Sequence, residues 1–232
     1  MIWPFGDMKQ FGYKFIMADN PWEFRLYSEK GEAKSAQAQY DCMKLDDIKK
    51  LPVGLLADKD AILFLWTTWP LLLGNAKYPV DGISRSNKDL GAAYSPAGDV
   101  IRAWGFNYVT GGVWHKQTIN EKDRVGTGYR VRSVCEPFLL ATNGNPENSK
   151  SSRNLIKGLA REHSRKPESA YKWAEDYMPG VARADLFSRE KRPGWDNWGH
   201  QSDLFNEGGV IEKAPPVPGI APAPLFDGAD NV

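Results

Sequence analysis

Five short apolar runs constrain the fold most: "YKFIMA" (13–18), "AILFLW" (61–66), "YVTGGVWH" (108–115), "EPFLLAT" (136–142) and "ARADLF" (182–187). Each has the length and composition of a buried strand. Strands buried on both faces must pair with one another, because no water reaches their backbone polar groups. Helical patterns lie between several of them. "LDDIKKLPVGLLAD" (45–58) opens with acids, which suit a helix N-terminus, and Pro52 limits it to a short helix or a kinked pair. "AGDVIRAWG" (97–105) puts Val100, Ile101 and Trp104 on one face. "KPESAYKWAEDYM" (166–178) has Pro167 near a first helical position and "PG" closing it. Strands alternating with helices predict an α/β fold, a mostly parallel central sheet with helices on both faces.

With 232 residues, 41% of them hydrophobic, the chain has enough for one sizeable core and is marginal for two. A single domain over 1–207 is expected. Within it, 78–96 reads as an inserted polar loop and 117–133, with glycines at 126 and 128, as a mobile loop over the site. Residues 208–232 carry five prolines and no apolar period, so a disordered tail is expected. Cys42 and Cys135 are the only cysteines and have no metal-ligand spacing, which fits a reducing cytoplasm and no metal centre. The start "MIWPFGDMKQFGYKF" lacks the basic-then-apolar order of a signal peptide, and no apolar run approaches the ~18 residues of a membrane span. A formal charge of +1 gives no overall field that demands a polyanionic partner.

In parallel sheets ligands bind beyond the carboxyl ends of the strands. "DNPW" (19–22) falls at one such end and "SREKRPGW" (188–195) at another, so one shared crevice is predicted. Asp19 offers an acceptor-only side chain. Asn20 precedes Pro21, whose ring pushes Asn20 to extended geometry and aims its carbonyl beside the Asp19 carboxylate. Two convergent acceptors can hold both hydrogens of an exocyclic amine, and Trp22 supplies a flat wall for its ring. Pulling on those hydrogens returns the delocalised lone pair to nitrogen, and the rest is positioning. An ordinary turn uses the same residue types. Asp19, Asn20, Pro21 and Trp22 are the candidate catalytic residues.

The tetrapeptide resembles the D-P-P-W signature of MT-A70-type adenine-N6 methyltransferases, which use S-adenosylmethionine. Four further blocks are similar to that family in the same order: "AILFLWTT" (61–68), "GTGYRVRSVCEPFLLATNGNP" (126–146), "REHSRKPESAY" (161–171) and "ADLFSREKRPGWDNWGHQ" (184–201). The resemblance implies a Rossmann-like methyltransferase sheet in permuted order, with the catalytic block before the cofactor block. It implies that Asp19 and the Asn20 carbonyl bind the amine and that Trp22 stacks on the base. It also implies that Lys166 pairs with the cofactor's carboxylate, that Asp185 and Arg189 serve its ribose, and that Gln201 lies near its adenine. Asn20 stands where the family has Pro. His200 stands where it has Asn, a position that contacts the cofactor.

A target adenine must leave the duplex before chemistry, and the rim must carry cations for phosphates. Lys116, Lys122, Arg124, Arg130 and Arg132 concentrate in one region, with Tyr129 beside them, and are the candidate nucleic-acid contacts. A second run holds Lys150, Arg153, Lys157, Arg161 and Arg165. The size of the chain and the family resemblance imply a DNA adenine-N6 methyltransferase of the bacterial or phage kind. RNA adenine, cytosine N4, and a catalytically weak binding subunit stay open, as does assembly with a second copy or a partner.

Overall fold

The computed structural model describes residues 3–22, 42–73, 95–126, 128, 130–149, 151–162, 165–199 and 202–206. Nearly all of the expected inserted loop, the whole 208–232 tail, and Tyr129, His200 and Gln201 lie outside the described residues. In chain order the elements are β1 (Tyr13–Ala18), α1 (Leu45–Lys50), β2 (Ala57–Trp66), α2 (Trp69–Leu72), α3 (Pro96–Ala103), β3 (Asn107–Gln117), β4 (Cys135–Asn143), β5 (Leu155–Leu159), α4 (Glu168–Tyr177), β6 (Arg183–Leu186) and β7 (Asp196–Trp198).

Local chemistry sets most of these boundaries. Pro52 stops α1, and the chain passes through one 3-10 turn, Val53–Leu55, into β2. Because that passage is short, β2 starts at Ala57, four residues before the apolar run. The helix expected over 97–105 begins one residue earlier, at Pro96, so the expected loop 78–96 gives up its last residue. Ser95 caps that helix, its Oγ accepting from the Gly98 N–H at 2.9 Å, and Pro96 needs no partner in the first turn. Gly105, at φ 82°, turns the chain out of α3, a conformation costly for any residue with a Cβ. Pro167 sits at the N-cap of α4, just before its first turn.

The strands form one seven-stranded sheet in the order β5-β3-β4-β2-β1-β6-β7. β1 pairs in parallel with β2 and β6, β6 with β7, and β3 with β5, while β4 is antiparallel to both β2 and β3. Six strands therefore point one way and β4 alone points back. The mostly parallel α/β sheet expected from the sequence is present, with one reversed strand that the sequence did not reveal. β5 and β7 were also not anticipated; both are short and not apolar throughout.

Side chains alternate across the sheet. Ile16, Ala18, Leu63, Leu65 and Ala184 pack on one face with Ile48 of α1 and Val100, Ile101 and Trp104 of α3. The Trp104 indole N–H donates to the Ile48 carbonyl at 2.9 Å and ties those two helices together. Phe15, Met17, Phe64, Trp66, Trp114 and Phe138 pack on the other face with Ala170, Tyr171 and Ala174 of α4. Helices thus cover both faces. The second face is the aromatic one: Phe64 and Phe138 stack at 4.3 Å, and Trp195 meets Phe15 edge-on. None of the described helices is long and apolar enough to cross a membrane.

Candidate active site

The topology brings separated residues to one edge. β1, β2 and β6 are parallel neighbours, so Asp19, Thr67 and Phe187 all follow their carboxyl ends. β4 runs the other way and delivers its beginning there: Trp66 pairs with Phe138, which places Glu136 beyond the end of β2. Trp114 of β3 pairs with Glu136, and Lys116 lies two residues further along β3. By the two-residue alternation, Lys116 shares the Trp114 face, Glu136 the Phe138 face and Asp19 the Phe15–Met17 face. All three faces are the one that α4 covers. Asp185 joins them, its Oδ2 accepting from the Tyr171 hydroxyl of α4 at 2.9 Å.

The centre of this edge is Lys166, only 7% exposed, just ahead of α4. Its Nζ lies 2.8 Å from Asp19 Oδ2 and 2.8 Å from Glu136 Oε1, and 5.3 Å from the centre of the Trp66 ring. Glu136 Oε2 in turn meets Lys116 Nζ at 2.6 Å. Buried charges persist when paired in this way. Burial pushes the Glu136 carboxyl up, but Lys166 and Lys116 outweigh it and hold the group at about 2. Asp19 has one ammonium in contact where Glu136 has two, with Arg189 pulling more weakly on it and the Glu136 charge opposing. Burial dominates there and raises its carboxyl above the usual range, against the pull of Lys166. Lys166 is held charged well above its usual range by the two carboxylates, despite its burial.

Across the crevice, burial lifts the Asp185 carboxyl to about 7, with the Tyr171 hydroxyl and Arg192 pulling it only partly back. The same burial, with the charge of Asp185, pushes the Tyr171 hydroxyl well above its usual range. The crevice is lined by Asp19, Trp66, Lys166, Tyr171, Asp185 and Arg189, among others, with about 320 Å³ between its walls counting the open mouth. One flank is a lattice of charges. Glu190 receives Arg161, Arg165 and Arg192, and Glu168 receives Arg161 and Arg192, which clamp the entry of α4 to the segment after β6. Arg192 also lies 3.7 Å over the Tyr171 ring.

The site residues expected from the sequence fall into three groups. Asp19, Lys166, Asp185 and Arg189 come together in the crevice. Trp22 does not take the place expected for its side chain. Trp22 is 4% exposed, packs in the core on the α1 and α3 face, and donates its indole N–H to the Trp66 carbonyl at 3.3 Å. The expected open wall for a base is therefore corrected: core packing takes the indole. The Asn20 carbonyl accepts from the Trp22 amide at 2.8 Å and keeps its second lone pair, while its 2% exposed residue leaves both carboxamide atoms without a partner. The Pro21 carbonyl accepts from Met43 at 2.7 Å, which anchors the turn. Among the cations, Lys122, Arg124, Arg130 and Arg132 are exposed along 118–132, but Lys116 is drawn inward to Glu136. Arg161 and Arg165 of the second basic run are spent on Glu168 and Glu190. Trp195 packs in the core.

Three contributors were missed. Glu136, Tyr171 and Trp66 all stood inside quoted blocks without a role. The only signal for Glu136 was an acid opening an apolar run, which is costly to bury unless paired.

The lining fits S-adenosylmethionine. An ammonium, Lys166, suits a carboxylate, and a buried carboxylate, Asp185, suits hydroxyls. The Trp66 indole N–H, in the crevice wall residue, is buried without a partner. Among the described residues no group of three or more His, Cys, Asp or Glu could hold a metal ion.

Comparison with known proteins agrees with this geometry. The MT-A70 family model matches residues 13–77 and 91–201. The Type II methyltransferase M.MunI of Mycoplasma sp is 27% identical over 211 residues, 81% of this chain and 76% of that protein. The N(6)-adenosine-methyltransferase MT-A70-like of Arabidopsis thaliana is 28% identical over 83% of this chain, but only 24% of its own length is covered. The human N(6)-adenosine-methyltransferase catalytic subunit METTL3 is 25% identical over 82% of this chain and 28% of its own length. The chain belongs to the MT-A70 family of methyltransferases, whose methyl donor is S-adenosylmethionine.

Proposed function

We propose that the chain transfers a methyl group from S-adenosylmethionine to the N6 amine of adenine in DNA. The observation that carries this reading is the position of Asp19, at the shared carboxyl ends of the central strands and 2.8 Å from Lys166 at the wall of the crevice.

The donor supplies a sulfonium-bound methyl group that a nitrogen can take directly. The chain's own residues do the positioning. Lys166 would hold the donor's carboxylate, Asp185 with Arg189 would serve the ribose hydroxyls, Gln201 would lie near its adenine and His200 would contact the donor. The Asp19 carboxylate and the free lone pair of the Asn20 carbonyl accept the two amine hydrogens. Held so, the amine would pyramidalise and its lone pair return to nitrogen; the nitrogen–methyl bond would form as the sulfonium–methyl bond breaks, the thioether S-adenosylhomocysteine would leave, and one amine proton would pass by way of the Asp19 carboxylate to water. Pre-set geometry of this kind removes several kcal/mol, roughly 7–11 at best, from a two-molecule barrier. Lys122, Arg124, Arg130 and Arg132 form the phosphate rim for a flipped base, with Tyr129 beside it.

The DNA reading is supported by similarity along three quarters of a Type II methyltransferase, against about a quarter of the adenosine methyltransferases. The RNA reading draws on comparable identity to those proteins. The human relative is by name a subunit, so assembly with a second copy or a partner belongs to the proposal. Labelled donor incubated with matched DNA and RNA oligonucleotides, followed by nucleoside analysis, decides between the polymers. Label in deoxyadenosine N6 alone is the expected result. Label confined to adenosine in RNA, or to cytosine, would replace the DNA reading.

A further inference from the structure

We propose that Lys116 is a positioning residue that acts on Asp19 through Glu136 and Lys166, and not a phosphate contact. This rests on the proposed role of Asp19. Four charges of alternating sign form a row: Lys116, Glu136, Lys166, Asp19, with links of 2.6, 2.8 and 2.8 Å. Each oxygen of Glu136 holds a different ammonium. All three links have the length of charge-assisted hydrogen bonds.

Lys116 differs from the cations after it. Its main chain is pinned on both sides, its N–H donating to Val134 at 2.9 Å and its carbonyl accepting from Arg124 at 2.8 Å. Its Nζ lies 5.0 Å from the centre of the Trp114 ring, so the stem folds back along β3. Lys122 and Arg124 are exposed further out. Lys116 thus stands at the root of the basic loop but is turned toward the crevice.

The row works by sharing. Lys166 serves two carboxylates with one positive charge. Lys116 satisfies one oxygen of Glu136, so Glu136 claims only part of Lys166 and Asp19 keeps the rest. Without Lys116, the buried Glu136 has a single cation and draws Lys166 to itself. Asp19 then loses the contact that fixes its carboxylate where the amine must sit. A shift of about 1 Å there costs ten- to a hundredfold in rate.

The test is steady-state methylation of a matching oligonucleotide at several salt concentrations, with wild type, Lys116→Met, Lys116→Arg and Arg124→Met. The inference expects Lys116→Met to lower kcat by about ten- to a hundredfold, with KM for the nucleic acid and the salt slope unchanged. Lys116→Arg, which keeps the charge, recovers most of the rate. Arg124→Met raises KM and reduces the salt slope by about 1, the signature of a lost phosphate contact. If Lys116→Met shows that second signature with kcat intact, the inference is overturned. Should Lys116→Met not fold, Lys116→Met combined with Glu136→Gln leaves no unpaired acid there; with no charge at position 136 to draw Lys166 away, the inference expects most of kcat to return, and a raised KM with a reduced salt slope in this double variant overturns it. Wild type without any methyl transfer would instead defeat the proposed function, a result distinct from either signature.

Discussion

Glu136 and Asp185 are both acids drawn out of water on the α4 face, separated in the sheet by β2 and β1, and they behave in opposite ways. Glu136 has an ammonium on each oxygen and is held at about 2. Asp185 has a hydroxyl on one oxygen and only partial help from Arg192, and it rises to about 7. Burial is similar in kind; the difference is direct contact, an ammonium on each oxygen of Glu136 against a hydroxyl on Asp185, where Arg192 and Lys166 pull through charge. An acid with full partners stabilises the fold. One left under-served costs stability, and such groups persist where a ligand makes use of them. The Glu136 side of the crevice is therefore built as a rigid frame, and the Asp185 side, where the proposed function puts the methyl donor, is left with capacity to bind.

That contrast predicts opposite responses to pH, the largest at Asp185. Its folded-state value lies above its ordinary 3.8, so the folded chain binds more protons between about pH 4 and 7. Stability from this group falls as pH rises through that window, by on the order of 4 kcal/mol, and is level above it. Asp185→Asn keeps the shape and the Tyr171 contact. Urea titrations of this variant should show the fall reduced, with the variant more stable than wild type at pH 8. An undiminished fall would break the comparison.

Glu136 comes next, with the opposite sign. Its folded-state value lies below its ordinary 4.5, so its contribution is present in full above that pH and is lost as pH drops toward about 2. Glu136→Gln should cost on the order of 3 kcal/mol at pH 7 and remove this part of the acid sensitivity. Equal stability of the two proteins at pH 7 would contradict the row of charges.

The smallest effect is expected at Asn20, on the other side of the frame. Its carboxamide is buried without a partner, and among the described residues its N–H donates to no backbone carbonyl. Asp19, the preceding residue, follows directly on the extended strand β1. Asn20→Pro should stabilise by about 1 kcal/mol or more, a rise of roughly 2–4 °C in Tm. Methyl transfer is retained, because the main-chain carbonyl survives. Thermal melts check the first part and an activity assay the second.

What the sequence disclosed follows from what patterns encode. The strands over 13–18, 61–66 and 136–142 were legible as apolar runs, α1 by its acid start and α3 by its periodic face. The direction of β4 was not legible, because an apolar run carries no arrow. That direction brings Glu136 to the site, so its role was hidden with it. Lys116 was read as one of a basic run, since sequence proximity says nothing about which face a strand presents. Trp22 was read as a wall for a base, and only the packing of α1 and α3 shows that the core claims it. Asp19, Lys166 and Asp185 were legible as three polar residues in three separate blocks; their meeting depends on strand order.

The most direct test of the central claim measures two things on the same samples of wild type and Asp19→Ala. One is single-turnover methyl transfer to an adenine-containing duplex, and the other is binding of S-adenosylhomocysteine by calorimetry. If Asp19 holds the amine, transfer falls by about a hundred- to a thousandfold while the calorimetric affinity stays within a few-fold. Transfer at the wild-type rate in Asp19→Ala would contradict the account and move the chemistry away from this edge of the sheet.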